Sequence, residues 1–227
     1  MIRWRHAMMI ARKDLLVEWR SRIATNQVLP FALVTMVLFA FALDSESVLQ
    51  RVAPGLVWLA VMLSMLVLVQ RAASLETEDQ ALDALRISGV DPTSVFWGKS
   101  IALLAQLLVL EVVLVAAAVV LYRADVPAGG IVLLVTSMLT ATAGVAFVGT
   151  LYGGLAAGIS GRETLLPLLV LPVVAPVLIG ATRALESALG TAGAVTSEGW
   201  PWVGLLAVFT VTYGVAGSLA YGPLTED

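Results

Sequence analysis

The sequence predicts an all-α polytopic membrane protein: six transmembrane helices preceded by an amphipathic interfacial helix. Three observations predict it. First, 59% of the 227 residues are hydrophobic and 13% charged, against roughly 45–50% and about 25% in ordinary globular domains. With a mean hydropathy of +0.96, a soluble fold could not cover so much apolar surface. Second, six stretches approach the roughly 20 apolar residues that cross a hydrocarbon core. Third, runs such as LLVLEVVLVAAAVVLY lack the alternation that marks the strands of a membrane β-barrel.

Residues 1–23 precede the first span. Trp4, Met8, Ala11, Leu15 and Trp19 recur every three or four residues and so share one helix face, with Arg5, Lys13 and Arg20 opposite. That pattern suits a helix lying in the membrane interface, tryptophans at headgroup depth and basic groups toward anionic lipid. Arg12, Lys13 and Asp14 sit in its middle. Asp14 and Glu18 leave no uninterrupted apolar stretch after a short basic start, so no cleavable signal peptide is expected.

The spans are read at 24–43, 52–69, 101–122, 131–159, 165–181 and 202–221 of one transmembrane domain covering 1–227. With the N-terminus inside, ten Lys and Arg fall on the inner side and only Arg51, Arg123 and Arg183 on the outer. The positive-inside rule then puts both termini in the cytoplasm.

Residues 70–100 form the only long polar stretch between spans. Thr77 and Gln80 have capping-box spacing, with Glu78 and Asp79 where a first turn favours acids. Leu75, Leu82 and Leu85 share a face, and Gly89 followed by Asp91-Pro92 is a stop signal. The loop is therefore expected to carry a short acidic helix whose leucine face docks on another protein. Gly98-Lys99-Ser100 resembles the end of a phosphate-binding loop, but Thr93 stands where the first glycine belongs and no strand precedes it. No nucleotide-binding fingerprint is present, so any ATP is hydrolysed by another subunit. A net charge of −3 and the absence of Cys give no reason to expect nucleic-acid binding, a disulfide scaffold or a thiolate metal site.

Ionisable groups inside a membrane are costly and default to function. Glu111 is the clear case, ten residues from each end of its span, with Gln106 on the same helix. Its carboxyl is expected to be protonated, hydrogen-bonded within a bundle, or facing a wet cavity; an interhelical lock and a transport role both fit. Gly149 with Gly153, and Gly154 with Gly158, have the spacing of close helix packing. Pro167, Pro172 and Pro176 lie in the fifth span, where each frees a carbonyl; they are candidate hinges or a static bend. Residues 182–200 are read as holding a short helix that dips into the outer interface.

Three stretches carry a family resemblance: ARKDLLVEWRSR, then APGLVWLAVMLSMLVLVQR running into LETEDQALDALRISGVDPTSVFWGK, then LPLLVLPVVAPVLIGAT. In this order and spacing the chain resembles the B subunits of the cytochrome c maturation (Ccm) haem exporter, permeases of an ABC transporter. Where members commonly show an aromatic-plus-acid cluster after span two, this chain has Ala72-Ala73-Ser74-Leu75-Glu76.

The resemblance implies an ABC-2-type, type V exporter-like permease with outer re-entrant helices between spans five and six. It implies a second copy of the chain and an ABC ATP-binding subunit, a cytoplasmic dimer, as partners. A haem-handling membrane subunit, a small one-span subunit and a haem chaperone would complete the system, in contact with membrane lipid. Glu76, Glu78, Asp79, Leu82, Asp83 and Leu85 would form the ATPase-coupling helix, and the interfacial helix would touch the same ATPase. Haem iron is held by His, Cys, Met or Tyr. The chain has one histidine, His6, and no cysteine, and Met62 and Met65 read as packing. No tightly bound cofactor is therefore expected; haem enters as possible cargo. Haem delivery for c-type cytochromes leads, ahead of a permease for another lipid, peptide or drug-like cargo. A secondary transporter would usually carry several membrane-embedded charges.

Overall fold

A computed structural model describes residues 4–22, 24–43, 45–78, 90–124, 126–156 and 162–225. Seven α-helices and no strands occur among them. They are α1 (Trp4–Ser21), α2 (Leu29–Ala42), α3 (Glu46–Glu78), α4 (Pro92–Tyr122), α5 (Ile131–Ala156), α6 (Arg162–Leu189) and α7 (Thr196–Thr225). Six are long and apolar enough to cross a membrane, α2 with the π turn Ala24–Val28 that leads into it. The chain is thus a multi-pass membrane protein. The most apolar window of α3 is 67% buried, against 17–50% in the other spans, so α3 is the central helix.

The helices run up and down, and their ends gather in two sets. At one end, called proximal, α1 lies against the start of α4, near the C-terminal ends of α3, α5 and α7. At the distal end, Arg123 after α4 pairs with Glu46 of α3 at 3.1 Å, and Gln50 Nε2 donates to the Arg123 carbonyl. There too Gly130 meets the backbone of Ala188, and Gly199 meets Leu133 and Ser187.

Two stretches differ from the reading of the sequence. Leu75–Glu78 continue α3 and do not open a separate helix at Thr77. Polarity after Gln70 ends a membrane span but not a helix, and no Gly or Pro follows until Gly89. At the other end of the bundle, α6 runs unbroken to Leu189. The stretch read as a dipping outer helix is therefore its last two turns, with Ala184, Leu185, Ala188 and Leu189 all buried in the main core. Gly190, at φ 63, then breaks the helix in a left-handed conformation that favours glycine. Residues 190–195, with the 3₁₀ turn Thr191–Gly193 among them, separate α6 from α7. The outer re-entrant helices implied by the resemblance are thus replaced by this tight turn.

The interfacial helix packs on the bundle through its small residues. Ala7, Ile10 and Ala11 are its buried face, whereas Trp4, Met8 and Trp19 of the tryptophan stripe are exposed. Small side chains allow close approach between helices, and large apolar ones are left for lipid. The approach is close: a Cβ on Gly98 of α4 would stand 2.7 Å from both the Ala7 carbonyl oxygen and the Ile10 Cβ. An aromatic cluster of Phe96, Trp97, Phe147 and Tyr221 locks the same end, with Trp97 and Phe147 centroids 5.2 Å apart. Trp97 Nε1 donates to Ser218 Oγ at 2.9 Å, tying α4 to α7.

Candidate functional site

Five helices leave a cavity of about 150 Å³ at the proximal end. α1 contributes Lys13, Asp14, Val17 and Glu18 to its wall. Positions 14 and 18 are one turn apart and fall on the face that Ala7 and Ile10 bury, which turns both carboxylates inward. α3 adds Leu68, Val69, Arg71, Ala72 and Ala73 from its last membrane turns. α4 adds Lys99, Ala102, Leu103 and Gln106, whose i, i+3, i+4, i+7 spacing is one helix face. The floor is Gly149, Thr150 and Gly153 of α5, beside Gly154, and Tyr221 of α7 closes one side.

The glycines are there for contact. A Cβ on Gly149 would come 2.9 Å from Met65 Sδ, one on Gly153 2.6 Å from Val69 Cγ1, and one on Gly154 2.7 Å from the Tyr221 ring. Met65 accordingly packs, as its sequence context suggests. The polar groups are graded in depth. Lys13 and Arg71 are exposed at the mouth, Lys99 is half-buried inside, and Thr150 is buried on the floor. Lys13 Nζ pairs with Asp14 Oδ1 at 3.1 Å. Glu18 Oε1 accepts the backbone N–H of Ala24, which fastens α1 to the start of the first span.

Glu111 lies elsewhere. It is fully buried on α4, where Thr142 Oγ1 of α5 donates to its Oε2 at 2.7 Å. Its Oε1 has no hydrogen-bond partner among the described residues. Gln106 opens onto the cavity while Glu111 does not, so the two polar groups of this span serve different places.

Of the interfacial-helix residues, Lys13 and Asp14 reach the cavity. Arg12 and Trp19 are exposed, and the Trp4 ring meets that of Trp97 at a tilt, centroids 5.7 Å apart. Pro167, Pro172 and Pro176 all lie inside α6, Pro172 and Pro176 on its exposed face. Glu76 and Glu78 fall on the last turns of α3, while Asp79, Leu82, Asp83 and Leu85 lie outside the described residues. Sequence reasoning passed over Glu18, Arg71, Lys99 and Thr150. Lys99 counted there as a loop cation; its one-face spacing with Gln106 was the available signal.

A family model described as CcmB protein matches residues 5–222. Several relatives carry the name Heme exporter protein B. The chain is 31% identical to that of Paracoccus denitrificans (strain Pd 1222) over 184 residues, 80% of this chain and 82% of the relative. To that of Pseudomonas aeruginosa it is 29% identical over 217 residues, 91% of each. To that of Rhodobacter capsulatus it is 32% identical over 169 residues, 74% of this chain and 76% of the relative.

Proposed function

The chain belongs to the CcmB protein family, and from that premise we propose that it is the membrane permease subunit of a haem export system serving cytochrome c biogenesis. The observation that carries this is the extent of the match: residues 5–222 reach from α1 to the last turns of α7. The chain is a transport subunit and not itself an enzyme. It works in the cytoplasmic (inner) membrane with its proximal end, and so both termini, toward the cytoplasm, as the ten-to-three division of basic residues favours.

ATP is hydrolysed by a separate ABC subunit, a cytoplasmic dimer that grips two copies of this chain. Its footing is the segment from Glu76 to Leu85 together with α1. Motion received there passes through Gly98 and the aromatic cluster into α4, α5 and α7. The prolines of α6 are the hinge candidates, each removing one backbone donor from an otherwise continuous helix. A haem-handling membrane subunit, a small one-span subunit and a haem chaperone complete the assembly.

Haem is the cargo or the partner's burden, not a resident cofactor. The only histidine, His6, is on α1. The cavity, at about 150 Å³, is smaller than the roughly 300 Å³ of the smallest usual small-molecule sites. Both features favour work done on a haem-binding partner, or passage without strong ligation.

Purification in mild detergent with identification of the bound subunits tests the reading. An ATPase and haem-handling subunits are expected; a complex without any ATPase overturns it. In the same assay Leu82→Asp with Leu85→Asp is expected to release the ATPase while membrane insertion is kept. Wild-type recovery of the ATPase would refute the docking segment. Because the chain has no Cys, a thiol introduced at Ala81 also reports the side directly: labelling from outside intact cells would reverse the orientation.

A further inference from the structure

The cavity at the proximal end has a composition that moving force between helices does not require. Three helices each deliver one cation to it: Lys13 from α1, Arg71 from α3 and Lys99 from α4. Asp14 and Glu18 share the wall, Asp14 paired with Lys13 and Glu18 accepting the Ala24 N–H, so three cations stand against two carboxylates and the lining keeps one net positive charge. Behind the cations the wall turns apolar at Leu68, Val69 and Leu103. The mouth opens beside α1, whose outward face carries exposed Trp4, Met8 and Trp19, the pattern of a helix at headgroup level.

We propose that this cavity is a binding site for the anionic headgroup of a membrane amphiphile, a phosphate or carboxylate whose apolar body lies along Leu68, Val69 and Leu103. Arg71 supplies the planar fork that suits two oxygens of one oxyanion, and Lys99 adds a point charge from the α4 wall. Gln106 and Thr150 offer neutral hydrogen-bonding groups deeper in. The volume of about 150 Å³ accommodates a headgroup and the first carbons beyond it, not a whole lipid. The site stands whether or not haem is the cargo.

The test uses the full chain purified in a neutral detergent. Binding of dioctanoyl phosphatidylglycerol is compared with that of dioctanoyl phosphatidylcholine by thermophoresis. Preference for the anionic lipid is expected, and Arg71→Gln and Lys99→Gln should each weaken it about tenfold, the usual size of one lost hydrogen bond to a charged group. Arg71 is exposed, so its variant folds even if that at Lys99 does not. Arg183→Gln, at the distal end, should change nothing. Equal affinity for the two lipids, or unchanged binding in Arg71→Gln, overturns the proposal. Competition separates the sources of the anion. Displacement by protoporphyrin IX but not by its dimethyl ester assigns a porphyrin carboxylate to the site; failure of both to displace assigns a lipid phosphate. Displacement by the diester overturns recognition through the anion.

Discussion

Thr142 on α5 donates its hydroxyl proton to the carboxyl of Glu111 on α4 at 2.7 Å, in a part of the bundle where both side chains are fully buried. This is the sole hydrogen bond to that carboxyl among the described residues, and its second oxygen has none. A buried polar group costs more when its one partner is removed than when both are replaced by apolar groups.

Thr142→Val is therefore expected to destabilise the protein by about 1 kcal/mol, in the range of membrane hydrogen bonds. The double variant Glu111→Leu, Thr142→Val should recover most of that loss. Thermal unfolding in detergent checks both. Glu111→Gln keeps an acceptor for Thr142 and should retain stability; haem delivery by that variant decides whether the group locks helices or takes part in transport.

Gly98→Ala should lift α1 from α4. The added methyl would collide with the Ala7 carbonyl and with Ile10, and backbone cannot swing aside as a side-chain tip can. A cost of about 1–3 kcal/mol is expected for such overpacking. Faster proteolysis within residues 12–22, with the six spans intact, would register it.

Pro172→Ala and Pro176→Ala restore two backbone donors on the exposed face of α6. Thermal stability should stay level or rise by about 1 kcal/mol per site, a fraction of the roughly 3 kcal/mol that proline costs in a soluble helix. If these residues are hinges, haem delivery slows at unchanged complex assembly. Delivery at the wild-type rate in the double variant would make them a fixed bend.

His6→Ala should leave haem delivery intact. The imidazole is half-buried on α1 and its Nδ1 has no hydrogen-bond partner among the described residues, so a small loss of α1 packing is the expected effect. Abolished delivery with the complex still assembled would show that the histidine handles haem.

The spans were legible because hydrocarbon imposes a length and an apolarity that no other solvent does. Their ends were less so, since Leu75–Glu78 and Ala184–Leu189 extend helices by propensity and packing after the hydropathy has fallen. Glu111 stood out as a lone charge. The packing face of α1 was not legible: Trp4 and Trp19 are turned to the surroundings, while Ala7, Ile10 and Ala11 do the packing. In a bilayer bulk side chains find apolar company outside the protein, so size no longer points to the core. The cavity was invisible because Lys13, Arg71 and Lys99 are far apart in the chain and each alone looks like a flanking cation.

The link between Arg123 and Glu46 gains meaning from its location. Around it the bundle is stapled: Gln50 holds the Arg123 carbonyl, and Gly130 and Gly199 press directly on α6 and its neighbours. The opposite extremity holds a cavity of about 150 Å³, beside an aromatic cluster and close-set glycines that also join helices. A squeeze applied there has empty room to close into.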